Sequence, residues 1–265
     1  MRFHVKESKL KLNERIIDYI FFGNGKKPLI MIQGLNIRGI KGSGVMLSLM
    51  YRMFTKDYTV YVFERRPDVT DGITVRDMAA DIAAAMDELG IQSAAVLGVS
   101  QGGMIAQYLA IDRPDLVNKL VLAVTLSKNN DAVEAVIANW ISLVRQGKMR
   151  ALLCDMAAKM YSEEYLTRYK PFMPLLTLFQ KPKTPERFIR LAEACLTCNT
   201  YAELEKIKCP VFVIGGKQDQ VVGGKASEEI AEKLNCEMYL YENLGHGAYE
   251  EARDFNKRVY NFLRQ

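Results

Sequence analysis

Ala94-Ala-Val-Leu-Gly-Val-Ser-Gln-Gly-Gly103 joins a short apolar run to a segment with helical periodicity, and Ser100 stands at the junction. The run 94–97 predicts a strand buried on both faces, and residues 103–111 predict a helix. The G-x-S-x-G string is informative in this context, because a serine on a sharp strand-to-helix turn presents its hydroxyl to a site. The N–H groups that open the helix also suit a developing anion. Ser100 is therefore the predicted nucleophile.

A serine nucleophile needs a general base, and the chain offers two histidines. His246 lies in Asn243-Leu-Gly-His-Gly247, a loop that follows the apolar run 238–240. Glycine on both sides allows the imidazole to reach across to a serine, so His246 is the predicted base. His4 falls in the predicted N-terminal strand and is expected at the surface or at the sheet edge.

The base in turn needs an orienting acid. Residues 211–214 predict a strand, and Gly215-Gly-Lys-Gln-Asp219 leaves its carboxyl end, where open α/β sheets place their sites. Asp219 is therefore the predicted acid. It ranks ahead of Asp131, which lies well beyond its strand, and of Glu250, which is too close to the histidine in the chain. The order serine, acid, histidine is the order expected of one fold.

Short apolar runs alternate with helical patterns along most of the chain, which indicates an α/β fold. The predicted strands are 29–33, 59–63, 94–97, 120–124 and 211–214, and the predicted helices are 75–89, 103–111 and 226–234. Residues 3–22 alternate around a polar break at 11–15, which predicts an antiparallel hairpin at the sheet edge. Residues 127–204 contain no strand-like run, and helical patterns occur there at 132–146, 149–160, 162–169 and 185–198, with a loop at 181–185.

Together these pieces make the chain similar to the α/β-hydrolase family over roughly residues 5–264. The resemblance implies about eight mostly parallel strands flanked by helices, with a core of residues 1–126 and 205–265. An all-helical cap, residues 127–204, is inserted before the acid-bearing strand. The likeness is to the capped branch of esterases, enol-lactonases and carbon–carbon bond hydrolases. Large apolar cap residues are expected in the cap's own core or in an acyl pocket facing the serine: Trp140, Leu143, Met149, Leu152, Met156, Met160, Tyr165, Phe172, Met173, Leu176 and Phe179.

The resemblance also implies an oxyanion hole made by two backbone N–H groups, those of Leu35 and Gln101. Relatives carry a histidine where this chain has Gln33, and the Gln33 amide is expected to brace the loop by hydrogen bonding instead. Each such donor contributes roughly 3–4 kcal/mol to the transition state.

A second departure is Phe63-Glu-Arg-Arg-Pro67, where relatives usually show an aspartate, then arginine and glycine. Glu64 and Arg65 are expected to keep a structural ion pair. The alternative is a role for Arg65 or Arg66 in binding a substrate anion.

A Ser-His-Asp site predicts acyl transfer through a covalent acyl-enzyme, with no cofactor and no metal. We expect a carboxylic-ester hydrolase that acts on a small or medium, partly apolar substrate. A lactonase or carbon–carbon bond hydrolase of the same fold is the first alternative. A ligand-binding module with little turnover is the alternative from another class.

The composition is that of an ordinary globular protein, with 49% hydrophobic and 25% charged residues in a chain of 265. Basic and acidic residues are mixed along the chain and leave a net charge of +5, without the basic stripe typical of nucleic-acid binding. The sequence shows no signal peptide and no apolar run near the ~18 residues of a membrane span. A cytoplasmic protein with neither nucleic-acid nor membrane partners is expected, and a homodimer is left open.

The five cysteines cannot all pair within one chain. Cys195 and Cys198 form a C-x-x-C in a predicted helix, but a zinc site would need a second pair or nearby histidines. A structural role is therefore expected for this pair, ahead of a redox or metal-binding one.

Overall fold

The structure, a computed structural model, describes residues 4–12, 15–169 and 184–265. These residues contain one eight-stranded sheet in the spatial order β1-β2-β4-β3-β5-β6-β7-β8. In chain order the strands are β1 (Lys6–Leu12), β2 (Arg15–Phe22), β3 (Lys27–Ile32), β4 (Tyr58–Phe63), β5 (Ala94–Val99), β6 (Val117–Ala123), β7 (Val211–Gly216) and β8 (Glu237–Tyr241). β2 pairs antiparallel with β1 and β4, and the other neighbouring pairs are parallel. The predicted mostly parallel sheet is confirmed.

Helices cover both faces of the sheet, which is why β5 and β7 are buried at every residue. The described helices are α1 (Gly44–Met50), α2 (Val75–Glu88), α3 (Gln101–Asp112), α4 (Asp131–Arg145), α5 (Met149–Met160), α6 (Glu163–Tyr169), α7 (Pro185–Cys195), α8 (Ala226–Leu234), α9 (Ala248–Glu251) and α10 (Phe255–Arg264). The apolar residues of α1 and α10 join one core cluster, and those of α2, α3 and α8 join the other. The site therefore rests on a sheet that is fixed from both sides.

The insertion between β6 and β7 holds α4 to α7 and a short 3-10 turn, Leu204–Lys206. Trp140 of α4 is buried and donates its indole N–H to the Asp155 carboxylate on α5, 2.8 Å away. α7 ends at Cys195 rather than at 198 as predicted, because the N–H groups of Leu196, Thr197 and Cys198 bond to carbonyls three rather than four residues earlier. The predictions for Phe172, Met173, Leu176, Phe179 and most of the loop 181–185 lie outside the described residues.

Across the described ranges, none of the helices combines the length and the apolar character needed to cross a membrane.

Candidate active site

Ser100 sits between β5 and α3 with φ 55° and ψ −121°, a backbone conformation that residues other than glycine rarely adopt. Two hydrogen bonds hold this turn. The Ser100 N–H donates to the carbonyl of Ala123 at 2.9 Å, and the Thr125 hydroxyl donates to the Ser100 carbonyl at 2.8 Å. Such strain persists only where the surroundings enforce it, and it clusters at functional sites.

The glycines around Ser100 are required by close backbone approach. A Cβ on Gly102 would lie 1.9 Å from the carbonyl oxygen of Ile32 at the end of β3. A Cβ on Gly98 would lie 2.4 Å from the Gly102 carbonyl oxygen. The start of α3 is thus pressed against the sheet, which aims its free N–H groups at the space beside Ser100.

The three side chains predicted from the sequence form one connected chain of hydrogen bonds. The Nε2 atom of His246 lies 2.9 Å from Ser100 Oγ, and its Nδ1 atom lies 2.8 Å from Asp219 Oδ2. A carboxylate accepts only, so Nδ1 carries the proton and Nε2 is free to accept from the serine hydroxyl. His246 and Asp219 are buried, while Ser100 is partly exposed.

The position of Asp219 is fixed by the backbone that follows it. Its Oδ1 atom accepts the N–H groups of Val221 at 2.8 Å and Val222 at 3.0 Å, which leaves Oδ2 for the imidazole. The two rivals lie elsewhere: Asp131 opens α4, and Glu250 is exposed and bonded to Tyr161. His4 is exposed and precedes β1, so its predicted place within the strand is wrong.

The loop after β3 lies against the serine. A Cβ on Gly34 would be 3.2 Å from Ser100 Cβ and 3.7 Å from its Oγ. Leu35 follows in this loop, and Gln101 opens α3. Within the described residues neither of their backbone N–H groups has a hydrogen-bond acceptor. Two free donors thus flank Ser100, as an oxyanion hole requires.

The loop is braced differently from expectation. Where the structure describes the chain, the Gln33 amide makes no hydrogen bond. The buried guanidinium of Arg65 instead donates to the Gln33 carbonyl and, at 3.4 Å, to that of Gly34. The expected Glu64–Arg65 ion pair is also wrong, because the Glu64 carboxylate pairs with Arg187 of the cap at 3.0 Å.

Arg66 is engaged too. Its guanidinium forms a two-bond ion pair with the half-buried Asp81 carboxylate, at 2.6 and 2.5 Å. It is therefore not free for a substrate anion. No local pattern identifies these partners, since 15 to 123 residues separate the members of each pair.

The described residues contain no group of three or more histidine, cysteine or acidic side chains that could hold a metal ion. Cys195 and Cys198 are buried free thiols. Their sulfur atoms lie 3.6 and 3.7 Å from the carbonyl oxygens of Leu191 and Leu126, respectively. The side chains gathered around Ser100 suit proton transfer and nucleophilic attack.

The strand-to-helix serine turn, the late histidine loop and the mostly parallel sheet define the class of an α/β hydrolase. The family model described as "alpha/beta hydrolase fold" matches residues 32–252, so the chain belongs to this family and is a hydrolase.

Named relatives show how far the likeness extends. A protein of Caulobacter sp. (strain K31) named "Putative carbamate hydrolase RutD" is 26% identical over 85% of this chain and 88% of its own length. The 3-oxoadipate enol-lactonase 2 of Acinetobacter baylyi is 25% identical over 97% of this chain and 96% of its own. The solved structure of MGS-M2, an alpha/beta hydrolase enzyme from a Medee basin deep-sea metagenome library, superposes with a TM-score of 0.88. It is 21% identical and covers 97% of this chain and 98% of that one.

Proposed function

We propose that this protein is a serine hydrolase that cleaves a carboxylic ester of a small or medium, partly apolar substrate through an acyl-enzyme. The observation that carries the proposal is the continuous hydrogen-bonded path from Ser100 through His246 to Asp219, on a strained turn at the start of a helix. A hydroxyl, a correctly protonated imidazole and a buried carboxylate in this order are the parts of an activated nucleophile.

In the proposed reaction, His246 takes the proton of Ser100 as the serine oxygen attacks the carbonyl carbon. Asp219 holds the imidazole tautomer and stabilises the imidazolium. The N–H groups of Leu35 and Gln101 bind the oxyanion of the tetrahedral intermediate. The intermediate collapses as the imidazolium protonates the departing alcohol. Water then attacks the acyl-serine as His246 takes its proton, and the imidazolium returns that proton to Ser100 Oγ as the carboxylic acid is released.

The surroundings of the serine support a partly apolar substrate. Leu35 is partly buried and stands in the loop beside Ser100. Met160 ends α5 next to the histidine loop, where its carbonyl accepts the Gly247 N–H at 2.6 Å. We therefore propose that the acyl group enters between this loop and the cap, beside the apolar residues Leu35 and Met160.

A lactonase is the second candidate, and its support is specific. The Acinetobacter enol-lactonase aligns over nearly the full length of both chains. A lactone is a cyclic ester, so the same attack, oxyanion and acyl-enzyme serve, and the leaving alcohol simply stays attached to the acyl group. For carbon–carbon bond cleavage and for ligand binding with little turnover, we have no comparable full-length alignment to argue from.

The test is a series of p-nitrophenyl esters from acetate to decanoate, beside simple five- and six-membered lactones followed by acid release. Wild type is compared with Ser100→Ala and with Ser8→Ala, a control serine on the edge strand β1. We expect ester turnover that peaks at one chain length, is unchanged in Ser8→Ala and is lost in Ser100→Ala. Turnover of lactones without esters would replace the proposal by the lactonase. Turnover of neither by folded wild type would favour the binding module.

A further inference from the structure

Arg65 is the only lysine or arginine among the buried side chains of the described residues, with 4% of its surface exposed. It follows β4 closely, at the same edge of the sheet as Ser100. Burying a cation is costly unless its hydrogen bonds and charge are used. The contacts of this guanidinium therefore indicate what the charge does.

The guanidinium lies behind both donors of the oxyanion hole. Its Nη2 atom donates to the carbonyls of Gln33 and Gly34 in the loop, and it lies 3.4 Å from the side-chain oxygen of Gln101. The Gly34 carbonyl belongs to the same peptide group as the Leu35 N–H. A cation on that carbonyl polarises the peptide and makes its N–H a stronger donor.

The second donor, the backbone N–H of Gln101, belongs to a residue whose side chain also lies beside the Arg65 guanidinium. The Gln101 amide nitrogen donates to the Leu191 carbonyl at 2.6 Å and lies 3.2 Å from Cys195 Sγ, both on cap helix α7. The Gln101 side chain is thus held between Arg65 and the cap. This contact fixes the residue whose backbone N–H faces the serine.

The positive charge of Arg65 is not neutralised by an ion pair in the described part of the chain. The nearby Glu64 carboxylate is used by Arg187 and by the backbone N–H groups of Ile40 and Arg65. The Arg65 Nε and Nη1 atoms have no partner among the described residues. Burial lowers the pKa of Arg65 to about 10, so the side chain remains charged at neutral pH. An unpaired charge in a low-dielectric interior acts over longer distances than one in water.

We propose that Arg65 is a positioning residue that fixes and polarises the oxyanion hole, and that its charge stabilises the oxyanion through the Gly34–Leu35 peptide. This inference rests on the proposed serine hydrolase function. It assigns Arg65 no contact with the substrate, since the side chain is buried beneath the loop. A purely structural role and the binding of a substrate anion are the competing explanations.

The test compares wild type with Arg65→Met, Arg65→Lys and the control Arg66→Met. Arg66→Met removes the neighbouring arginine, whose pairing with Asp81 does not involve the loop. Each variant is measured for kcat and KM on the best ester, for the inhibition constant of an alkylboronic acid, and for Tm. The boronic acid forms a tetrahedral anion on the serine, so its affinity reports the oxyanion hole directly.

We expect Arg65→Met to lower kcat by roughly 10- to 100-fold, less than the 10²–10³ lost with a direct donor. Boronate affinity should fall by a similar factor, and KM should change by less than about threefold. Arg65→Lys keeps the charge but not the fork, so it should lose about three- to tenfold in kcat. Arg66→Met should lose stability and keep kcat. If Arg65→Met does not fold, the kcat and the boronate affinity of Arg65→Lys provide the test.

Wild-type kcat and boronate affinity in the folded Arg65 variants, with a loss of Tm alone, would show a purely structural role. A rise in KM with unchanged kcat would point to substrate binding instead. Either result overturns the inference while the wild type still reacts at Ser100. Wild type that forms no covalent adduct with a fluorophosphonate probe would instead overturn the proposed function itself.

Discussion

The phenol of Tyr161 donates to the Glu250 carboxylate at 2.5 Å, which joins the end of cap helix α5 to the segment after His246. Burial and the nearby carboxylate raise the pKa of Tyr161, so the phenol stays protonated and acts as the donor. The hydroxyl and the N–H of Ser162 add bonds to Glu251 at 2.5 and 3.0 Å. The histidine loop is therefore held by the cap as well as by the core.

The hydrogen bonds from Tyr161 and Ser162 to Glu250 and Glu251 form a clamp between the cap and the histidine loop. We expect this clamp to contribute to the reactivity of the serine. Tyr161→Phe removes one charge-assisted hydrogen bond and keeps the ring stacked on Tyr165. We expect a loss of about 1 kcal/mol in stability and about a threefold slower reaction with a fluorophosphonate, because His246 is held less firmly. The control Tyr201→Phe, whose ring packs on lysines away from the loop, should change neither. Equal rates in all three proteins would show that the clamp has no role in reactivity.

Asp219→Asn tests the orientation of the imidazole. An amide can still accept from Val221 and Val222, but it can donate to the imidazole and so favour the wrong tautomer. We expect kcat to fall by about 10²–10⁴-fold with little change in Tm. Asp71→Asn, an exposed acid paired with Arg190, is the matched control and should retain full activity. A kcat within tenfold of wild type for Asp219→Asn would remove Asp219 from the site.

Gly102→Ala tests the close approach of α3 to the sheet. The new methyl group would meet the Ile32 carbonyl oxygen at 1.9 Å, and backbone cannot yield as a side chain can. We expect a loss of about 3 kcal/mol, or roughly 6–12 °C in Tm, together with loss of activity. Gly147→Ala has a φ of +68° and open space around it, so it should cost only about 1 kcal/mol and keep activity. Similar Tm values for the two variants would contradict the packing argument.

The buried thiols predict a loss of stability in alkali. Burial raises the pKa of Cys195 and Cys198 to about 12. Unfolded thiols ionise near pH 8.5, so above that pH the unfolded chain has released protons that the folded chain retains. Unfolding is then favoured as pH rises, by about 2 kcal/mol for each thiol at pH 10.

The measurement is Tm between pH 7 and pH 10 for wild type and Cys198→Ala. The variant should start lower, because of the cavity, and fall less steeply with pH. At pH 8 a disulfide reagent should react quickly with the exposed Cys154 and with Cys195 and Cys198 only after unfolding. Parallel Tm curves for the two proteins would contradict the assignment of this loss to Cys198.

The elements that can be predicted from the sequence are those with a local signal. The strands predicted at 29–33, 94–97 and 211–214 are recognisable because parallel strands buried on both faces are continuous apolar runs. The start of β6 escapes prediction because Asn118 and Lys119 interrupt the pattern. α10 is absent from the predicted helices, although it buries Phe255 and Val259 at helical spacing. For this helix the sequence does carry the apolar periodicity that predicts a helix.

The site residues also fall into those with a local sequence signal and those placed by contacts distant in the chain. Ser100 and His246 stand in short motifs that carry their own context, and the structure brings them together with Asp219. The partners of Arg65 and Glu64 depend on contacts between loops and the cap that are distant in the chain. Such tertiary contacts leave no periodicity to detect, which is why the sequence does not reveal that Arg65 rather than Gln33 braces the loop after β3.

The most direct test of Ser100 as the nucleophile is the intact mass of the folded protein after reaction with a fluorophosphonate probe, followed by mapping of the modified peptide. We expect a single adduct on Ser100 in wild type and no adduct in Ser100→Ala. Folded wild type without an adduct, or an adduct that persists in Ser100→Ala, would contradict this assignment of the nucleophile.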